Sequence, residues 1–343
     1  MKLAWKEMKK NKSKFFIFGL IVLLISLLTF MIAGLANGLS QDNAALIKEL
    51  PDGQFYMTTE AEDNYALSRI SNTQQQELLK KYPDATALSI QMGMFHNAEG
   101  KQQSVAFVTT TESDIFPKVA AGEMIVDISL KEEGYKIGDI LTSNQFSGQW
   151  EIVGFSEQTK FNHAAVAFIQ QEDFTEMYRT TDLQLLYLAD EEVKTMDGLT
   201  AYSNKDFLNT IPSYSAEQLS LNMIIWFLVV ISGMLFAIFF YMMNVQKIGL
   251  YGILKAIGVK TSTLFVMMWT QMLLISAIAL SISLVLSQLF QNVAPQGMPF
   301  HLTLNTTLLF AGVFLVIGFI GATVSGLQIK KIQPLQAIQQ GEI

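Results

Sequence analysis

The chain has 343 residues, half of them hydrophobic and only 15% charged, with a net charge of −7 and no cysteine. Soluble chains average about 25% charged residues. Low charge density with net acidity therefore excludes one uniform soluble domain and fits a chain divided between membrane and water. The missing cysteine excludes disulfides, thiolate metal sites and a cysteine nucleophile. Three histidines leave little for a zinc site, and the acidic balance argues against nucleic acid as a partner.

Residues 1–14 (MKLAWKEMKKNKSK) read as a basic interfacial helix. Trp5 and Leu3 sit at headgroup level in that reading, with the lysines toward anionic lipid. A solvated tail that only sets orientation explains the same pattern. No charge occurs from Phe15 to Gln41, a run of 27 residues, which is enough for one span of ~20 apolar residues. The spacing predicts a helix over 15–39. A cleaved signal peptide with Ala33 and Ala36 at its small-residue site is the rival reading, but the apolar stretch exceeds a signal core. Leu39, Ala44, Leu46, Ile47 and Leu50 continue the apolar pattern beyond the membrane edge. The first helix is thus expected to rise as a stalk through residue 50, until Pro51-Asp52-Gly53 stops it.

Residues 51–210 read as an α+β domain. A helix is predicted over 72–82, capped by Ser71 or Asn72. Strands are predicted over 87–95 and 103–109, joined by a turn at 97–101. A second hairpin, 139–143 with 149–155, is expected to turn at Phe146-Ser147-Gly148. Short strands at 164–169 and 183–188 flank a helix at 172–178, and 204–209 forms a last short helix. Pro212 is expected to break that helix and Ser213 to cap the next one.

A second charge-free run, 29 residues from Gln218 to Gln246, gives a span at 219–245. With its stalk, this segment covers 211–245. The third run, 69 residues from Thr261 to Ile329, holds two spans at 262–289 and 304–327, broken by QNVAPQGMPFHL at 291–302. The short segments 1–14, 246–260 and 330–343 together carry +9, whereas 42–217 carries −16. Positive charge marks the cytoplasmic side. Both termini and the 246–260 loop are therefore expected inside, with the large domain outside a plasma membrane crossed four times.

The spans contain no Asp, Glu, Lys, Arg or His, only mild polar residues such as Ser26, Thr29, Asn244, Gln271, Ser276, Ser281 and Ser283. Coupling to protons or Na⁺ ordinarily needs intramembrane charges, so the energy source is expected on another chain. No phosphate-binding G-x-x-x-x-G-K-[ST] occurs, nor a G-x-S-x-G or H-E-x-x-H motif, so no enzyme activity is expected here. The loop QKIGLYGILKAIGVK (246–260) is the most specific signal. Ile248, Leu250, Ile253, Leu254, Ala256 and Ile257 recur at helical spacing. Lys247, Lys255 and Lys260 mark an expected wet face, and Gly249, Gly252 and Gly258 permit tight bends. Such a helix suits a groove in a soluble partner, and equally suits lying on lipid.

This loop resembles the "E-I-G-I-L-K-A-I-G-A" coupling segment of FtsX-like, MacB-type ABC transporter permeases, with Gln246-Lys247 in place of the usual glutamate and extra residues at Leu250-Tyr251. The tail Lys331–Ile338 (KIQPLQAI) resembles that family's "P-[L/V]-E-A-[L/I]" ending, with Gln336 where Glu is common. YKIGDILTSNQFSGQWEIVGF (135–155) resembles its "G-D-x-[I/L]…[F/W]-x-V-x-G" hairpin. The resemblance implies the MacB-type (type VII) architecture: four transmembrane helices with an extracellular α+β domain between the first and second. It also implies a homodimer served by two copies of a separate ABC ATPase that carries the ATP. The expected coupling residues are Ile248, Gly252, Ile253, Leu254, Lys255, Ala256, Ile257 and Gly258.

Residues 1–7, 34–38, 209–223 (NTIPSYSAEQLSLNM), 252–258 and 298–304 are similar to the HrtB-like heme-efflux permeases of Gram-positive bacteria. That resemblance implies heme, or a related amphipathic porphyrin, as transported substrate. Heme iron takes His, Met, Tyr or Cys, and a membrane-partitioned porphyrin would keep its propionates at the interface. The expected binding residues are Tyr214, Glu217, Asn222 and Met223 on the second helix and Glu49 on the first stalk. Tyr214 and Glu217, at i,i+3, share a helix face. The plainer reading of the pair is an interfacial anchor and a helix N-terminal carboxylate. His96 and His163 are expected on the outer domain surface, and His301 in the last outer loop. A signalling regulator of an extracellular hydrolase, or an exporter of peptides or lipids, fits the same architecture.

Overall fold

The structure, a computed structural model, describes residues 2–157, 159–189, 196, 198–295 and 298–331. In chain order the elements begin with α1 (Lys2–Lys10) and α2 (Lys12–Lys48). Then come β1 (Gln54–Thr58), α3 (Asn72–Lys81), β2 (Thr86–His96), β3 (Gln102–Thr110), β4 (Glu123–Asp127) and α4 (Ser129–Glu132). They are followed by β5 (Ile140–Ser143), β6 (Phe146–Ser156), β7 (Lys160–Phe161), β8 (Ala164–Phe168), α5 (Gln171–Tyr178), β9 (Leu185–Leu188), β10 (Leu199–Ser203) and α6 (Asn204–Phe207). The chain ends with α7 (Pro212–Val245), α8 (Ile248–Ala256), α9 (Thr261–Val293) and α10 (Leu304–Lys331). The tail motif predicted at 332–338 lies outside the described residues. The chain forms two compact units, Met1–Gly38 with Ser220–Ile343, and Leu39–Leu219. Helices α2 and α7 each contribute residues to both units.

The first unit contains the apolar parts of α2, α7, α9 and α10, which among the described residues are the four helices long and apolar enough to cross a membrane. Their contacts follow from the sequence. Phe18 of α2 stacks on Phe239 of α7 at 3.8 Å and meets Phe236 and Phe240 edge-on. Some of the buried polar side chains pair across helices. Ser26 Oγ lies 2.6 Å from Ser283 Oγ, and Asn244 Nδ2 donates to Ser325 Oγ at 3.1 Å. Gly38 lets the segment between α9 and α10 cross α2 at backbone contact, since a Cβ there would lie 2.1 Å from the Pro299 carbonyl oxygen.

The second unit is built on one ten-stranded sheet of order β10-β1-β9-β2-β3-β8-β4-β6-β5, with β7 on β8. A bridge from His96 to Thr142 joins β2 to β5, so the strands from β2 round to β5 close a ring. Phe107, Trp150 and Ile152 are among the wholly buried residues of its core. Trp150 Nε1 donates to the buried Asp173 at 2.9 Å, giving the indole N–H the partner that burial demands. The predicted helix at 72–82 is α3, and Ser71 caps it by accepting from the Gln74 N–H.

Two expectations are corrected. The β5–β6 turn falls at 144–145, and Phe146-Ser147-Gly148 already belongs to β6, where the Phe146 ring stacks on Trp150 at 4.4 Å. Pro212 does not precede a cap at Ser213. It opens α7 itself, as proline's fixed φ and missing N–H allow at a first helical position. Strands β1, β4 and β10 carry no alternation strong enough to be predicted.

Candidate functional site

The expected ligand residues Tyr214 and Glu217 lie on the first two turns of α7, beside the end of α2, in the Leu39–Leu219 unit. Helix α2 does not run straight there. Ala44 has non-helical backbone angles (φ −146°, ψ 22°) and is wholly buried. Beside this kink the carbonyls of Asn43 and Asp42 accept from the N–H groups of Asn162 (2.8 Å) and His163 (3.1 Å). Carbonyls at a break in the helical ladder need such outside partners. Asn162 and His163 form the two-residue turn between β7 and β8, both with positive φ (50° and 61°), the geometry of a type I′ hairpin. Lys160 of the same hairpin pairs with Asp42 at 3.1 Å.

The turn delivers His163 to α7. Its Nε2 lies 2.7 Å from Glu217 Oε1, and Asn43 Nδ2 donates to Glu217 Oε2 at 3.3 Å. Asn43 is wholly buried and also meets Ser213 Oγ at 3.1 Å. Ser213 Oγ donates to Asn162 Oδ1 at 2.8 Å, which is what it does in place of capping. Tyr214 OH accepts from Ser40 Oγ at 3.2 Å, and Lys48 Nζ lies 5.8 Å from its ring centroid. The geometry thus clips the start of α7 to the kinked end of α2 and assembles carboxylate, imidazole, amide and phenol in one half-buried cluster.

His163 lies on the surface of its unit, as expected, but is bonded to Glu217; neither it nor Asn43 was among the expected site residues. The signal available for His163 was its place in a two-residue turn between short strands. Glu49 does not join the cluster within one chain. It is exposed and accepts from Gln41 Nε2 at 2.6 Å. Asn222 and Met223 are exposed residues of the other unit. His301 is exposed, and its backbone N–H donates to the Gly34 carbonyl.

The 246–260 segment folds as α8; Lys260 is exposed as expected, but Lys247 and Lys255 are turned inward. Lys247 is buried and ion-paired with Glu7 of α1. Burial lowers its pKa from the ordinary lysine value, and Glu7 partly restores it. Lys255 donates to the Ile329 carbonyl at 2.5 Å. Tyr251 and Gly252 are buried and Leu254 is half-buried, with Tyr251 OH donating to Asn244 Oδ1 at 3.1 Å. The face left in contact with solvent is apolar: Leu250, Ile253 and Ile257, at 48%, 52% and 72% exposure, with Ala256 and Gly258. The end of α8 is fixed by a Schellman motif. Gly258, at φ 93°, donates to Lys255 and Val259 donates to Leu254. Membrane helices root this short helix by its polar side chains and leave an aliphatic stripe uncovered.

Residues 222–334, which include α8, match the FtsX-like permease C-terminal family. The chain carries an FtsX-like permease domain. It is similar over its whole length to the hemin transport system permease protein HrtB of Staphylococcus haemolyticus, 28% identical over 98% of this chain and 99% of that one. The HrtB of Staphylococcus epidermidis (strain ATCC 12228) is 26% identical over 100% of both chains. Among solved structures, the periplasmic region of MacB from Actinobacillus actinomycetemcomitans aligns with 48% of this chain and 95% of its own (8% identity, TM-score 0.35). The extracellular domain of the ABC-type transporter YknZ from Gram-positive bacteria aligns with 41% and 84% (12% identity, TM-score 0.30). The described residues hold four helices long and apolar enough to cross a membrane, with an α+β unit between the first and second in sequence.

Proposed function

We propose that this permease is the membrane half of an ABC exporter that expels heme, or a related amphipathic porphyrin, from the membrane. The observation that carries the transport role is the uncovered stripe of α8. Three large aliphatic side chains on a rigidly rooted helix between two spans suit insertion into a groove of a soluble partner. A separate ATPase, two copies to a permease homodimer, docks there in this reading. The substrate class comes from the full-length relatives, which are named for hemin transport.

The ligand is assigned to the start of α7. Tyr214 and Glu217 supply oxygen donors, with Met223 and Asn222 further along the helix and Glu49 contributed across the dimer. His163, bonded to Glu217, brings an imidazole to the same place, so iron would compete with an existing hydrogen bond for either group. In this reading, displacement at the cytoplasmic ends of α2 and α7, each of which has residues in both units, reaches the kink and its clip. ATP-driven closure of the partner then alters the ligand cluster with no pathway through the protein.

The test is absorbance of the purified permease with added heme. A Soret shift that is lost in Tyr214→Ala or Glu217→Ala supports the site, and a shift indifferent to both rejects it. Deletion of the permease and of its ATPase should give equal heme sensitivity. Heme tolerance unchanged by loss of the permease would overturn the substrate and favour a signalling or peptide- and lipid-exporting role.

A further inference from the structure

Helix α1 packs against α2 and α9 so as to leave a groove of about 560 Å³, within the range of roughly 300–1,000 Å³ that small-molecule sites occupy. Its walls are Phe16 and Leu20 of α2 and Ile278 and Ile282 of α9, and at Gly19 the two helices approach closely, a Cβ there lying 3.3 Å from Ile275. At the α1 end the lining changes character. Trp5, Lys9 and Lys12 border the groove, and Lys9 Nζ lies 5.7 Å from the Trp5 ring centroid. Among the described residues no acidic side chain lines it. Glu7, the one acid of α1, is turned away to Lys247 and Gln271. Both lysines are exposed, and among the described residues neither forms an ion pair.

We propose that this groove is a binding site for an anionic phospholipid, with one acyl chain between α2 and α9 and the phosphate on Lys9 and Lys12. The walls offer nothing to a polar ligand, whereas the mouth offers two cations and an indole, the combination that favours a headgroup boundary. A second copy seated here about a twofold axis would set lysines against lysines with no acid to compensate, so the charge selects lipid over self-association. The inference concerns the α1 end of the membrane unit and is independent of the transported cargo.

The experiment is native mass spectrometry of the full-length permease, released from mild detergent after incubation with equal phosphatidylglycerol and phosphatidylcholine. The parent protein should retain phosphatidylglycerol preferentially. Lys9→Gln with Lys12→Gln should lower that retention about thirtyfold, the sum of two basic contacts near an anionic surface. Lys6→Gln with Lys10→Gln removes the same charge from α1 outside the groove and should leave retention unchanged. Equal retention of both lipids, no retained lipid, or equal behaviour of the two double variants would overturn the site. Because the chain has no cysteine, Phe16→Cys gives a single reporter in the groove. Efficient disulfide dimerisation through it in membranes would show a second copy there and likewise reject the lipid.

Discussion

Replacing Glu7 with glutamine isolates the charge that holds α1 to the root of α8. The Lys247 and Glu7 side chains are 10% and 11% exposed, so neither is effectively screened by solvent. Removing one partner of a buried pair costs about 3–5 kcal/mol, because the remaining charge is left desolvated. The lower end applies here, about 3 kcal/mol, since the glutamine amide oxygen can still accept from Gln271 Nε2, which now donates to Glu7 at 2.8 Å. The pH dependence has a definite sign. Burial already lowers the Lys247 pKa and Glu7 raises it, so Glu7→Gln lowers it further. Between that lowered value and the ordinary lysine value the unfolded chain binds more protons than the folded one, and stability rises with pH. The loss in Glu7→Gln should therefore be full below the lowered Lys247 pKa and shrink as pH rises through it. Adding Lys247→Met removes the stranded charge and should recover most of the loss at neutral pH. The assay is thermal unfolding of the purified permease in detergent across pH, for the two single variants and the double. A Glu7→Gln melting temperature equal to the parent's, or a double variant no better than Glu7→Gln, would refute the argument.

Three further outcomes follow from particular contacts. Ile253→Asp, on the exposed face of α8, should leave thermal stability unchanged and reduce copurification of the proposed ATPase partner at least tenfold, ~1.4 kcal/mol in binding; full copurification would place docking elsewhere. Gly38→Val should destabilise the permease by about 1–3 kcal/mol through overpacking against the Pro299 carbonyl, read as a lowered melting temperature and contradicted by an unchanged one. Asp173→Ala leaves the buried Trp150 indole N–H without its acceptor and should cost about 1–3 kcal/mol. Tryptophan fluorescence during thermal unfolding reports it, and a stability equal to the parent's would mean the indole finds another partner.

Much of the site's chemistry was legible in the sequence, and its arrangement was not. Tyr214 and Glu217 stand at the edge of an uncharged run, which the sequence displays directly. Their partners are distant in sequence: Ser40 and Asn43 from the other stalk, His163 from a hairpin turn. Nothing local announces that this turn meets a kinked helix. The lysines of 246–260 show the limit of periodicity in another way. A charged residue among apolar ones reads as solvent-facing, yet Lys247 is buried because Glu7, 240 positions earlier, neutralises it.

The sequence by itself determined the four apolar helices, because twenty or more uncharged residues have few other fates. It determined the α+β character of the intervening segment through alternation and turn residues. It determined the split of an acidic, charge-poor chain into +9 and −16 segments, since that is a property of order along the chain. Only the tertiary structure decided which face of α8 is left uncovered, where α2 bends, and that Glu217 is bonded to a histidine. These depend on pairings between residues far apart in the chain, and such pairings leave no periodic trace in either partner.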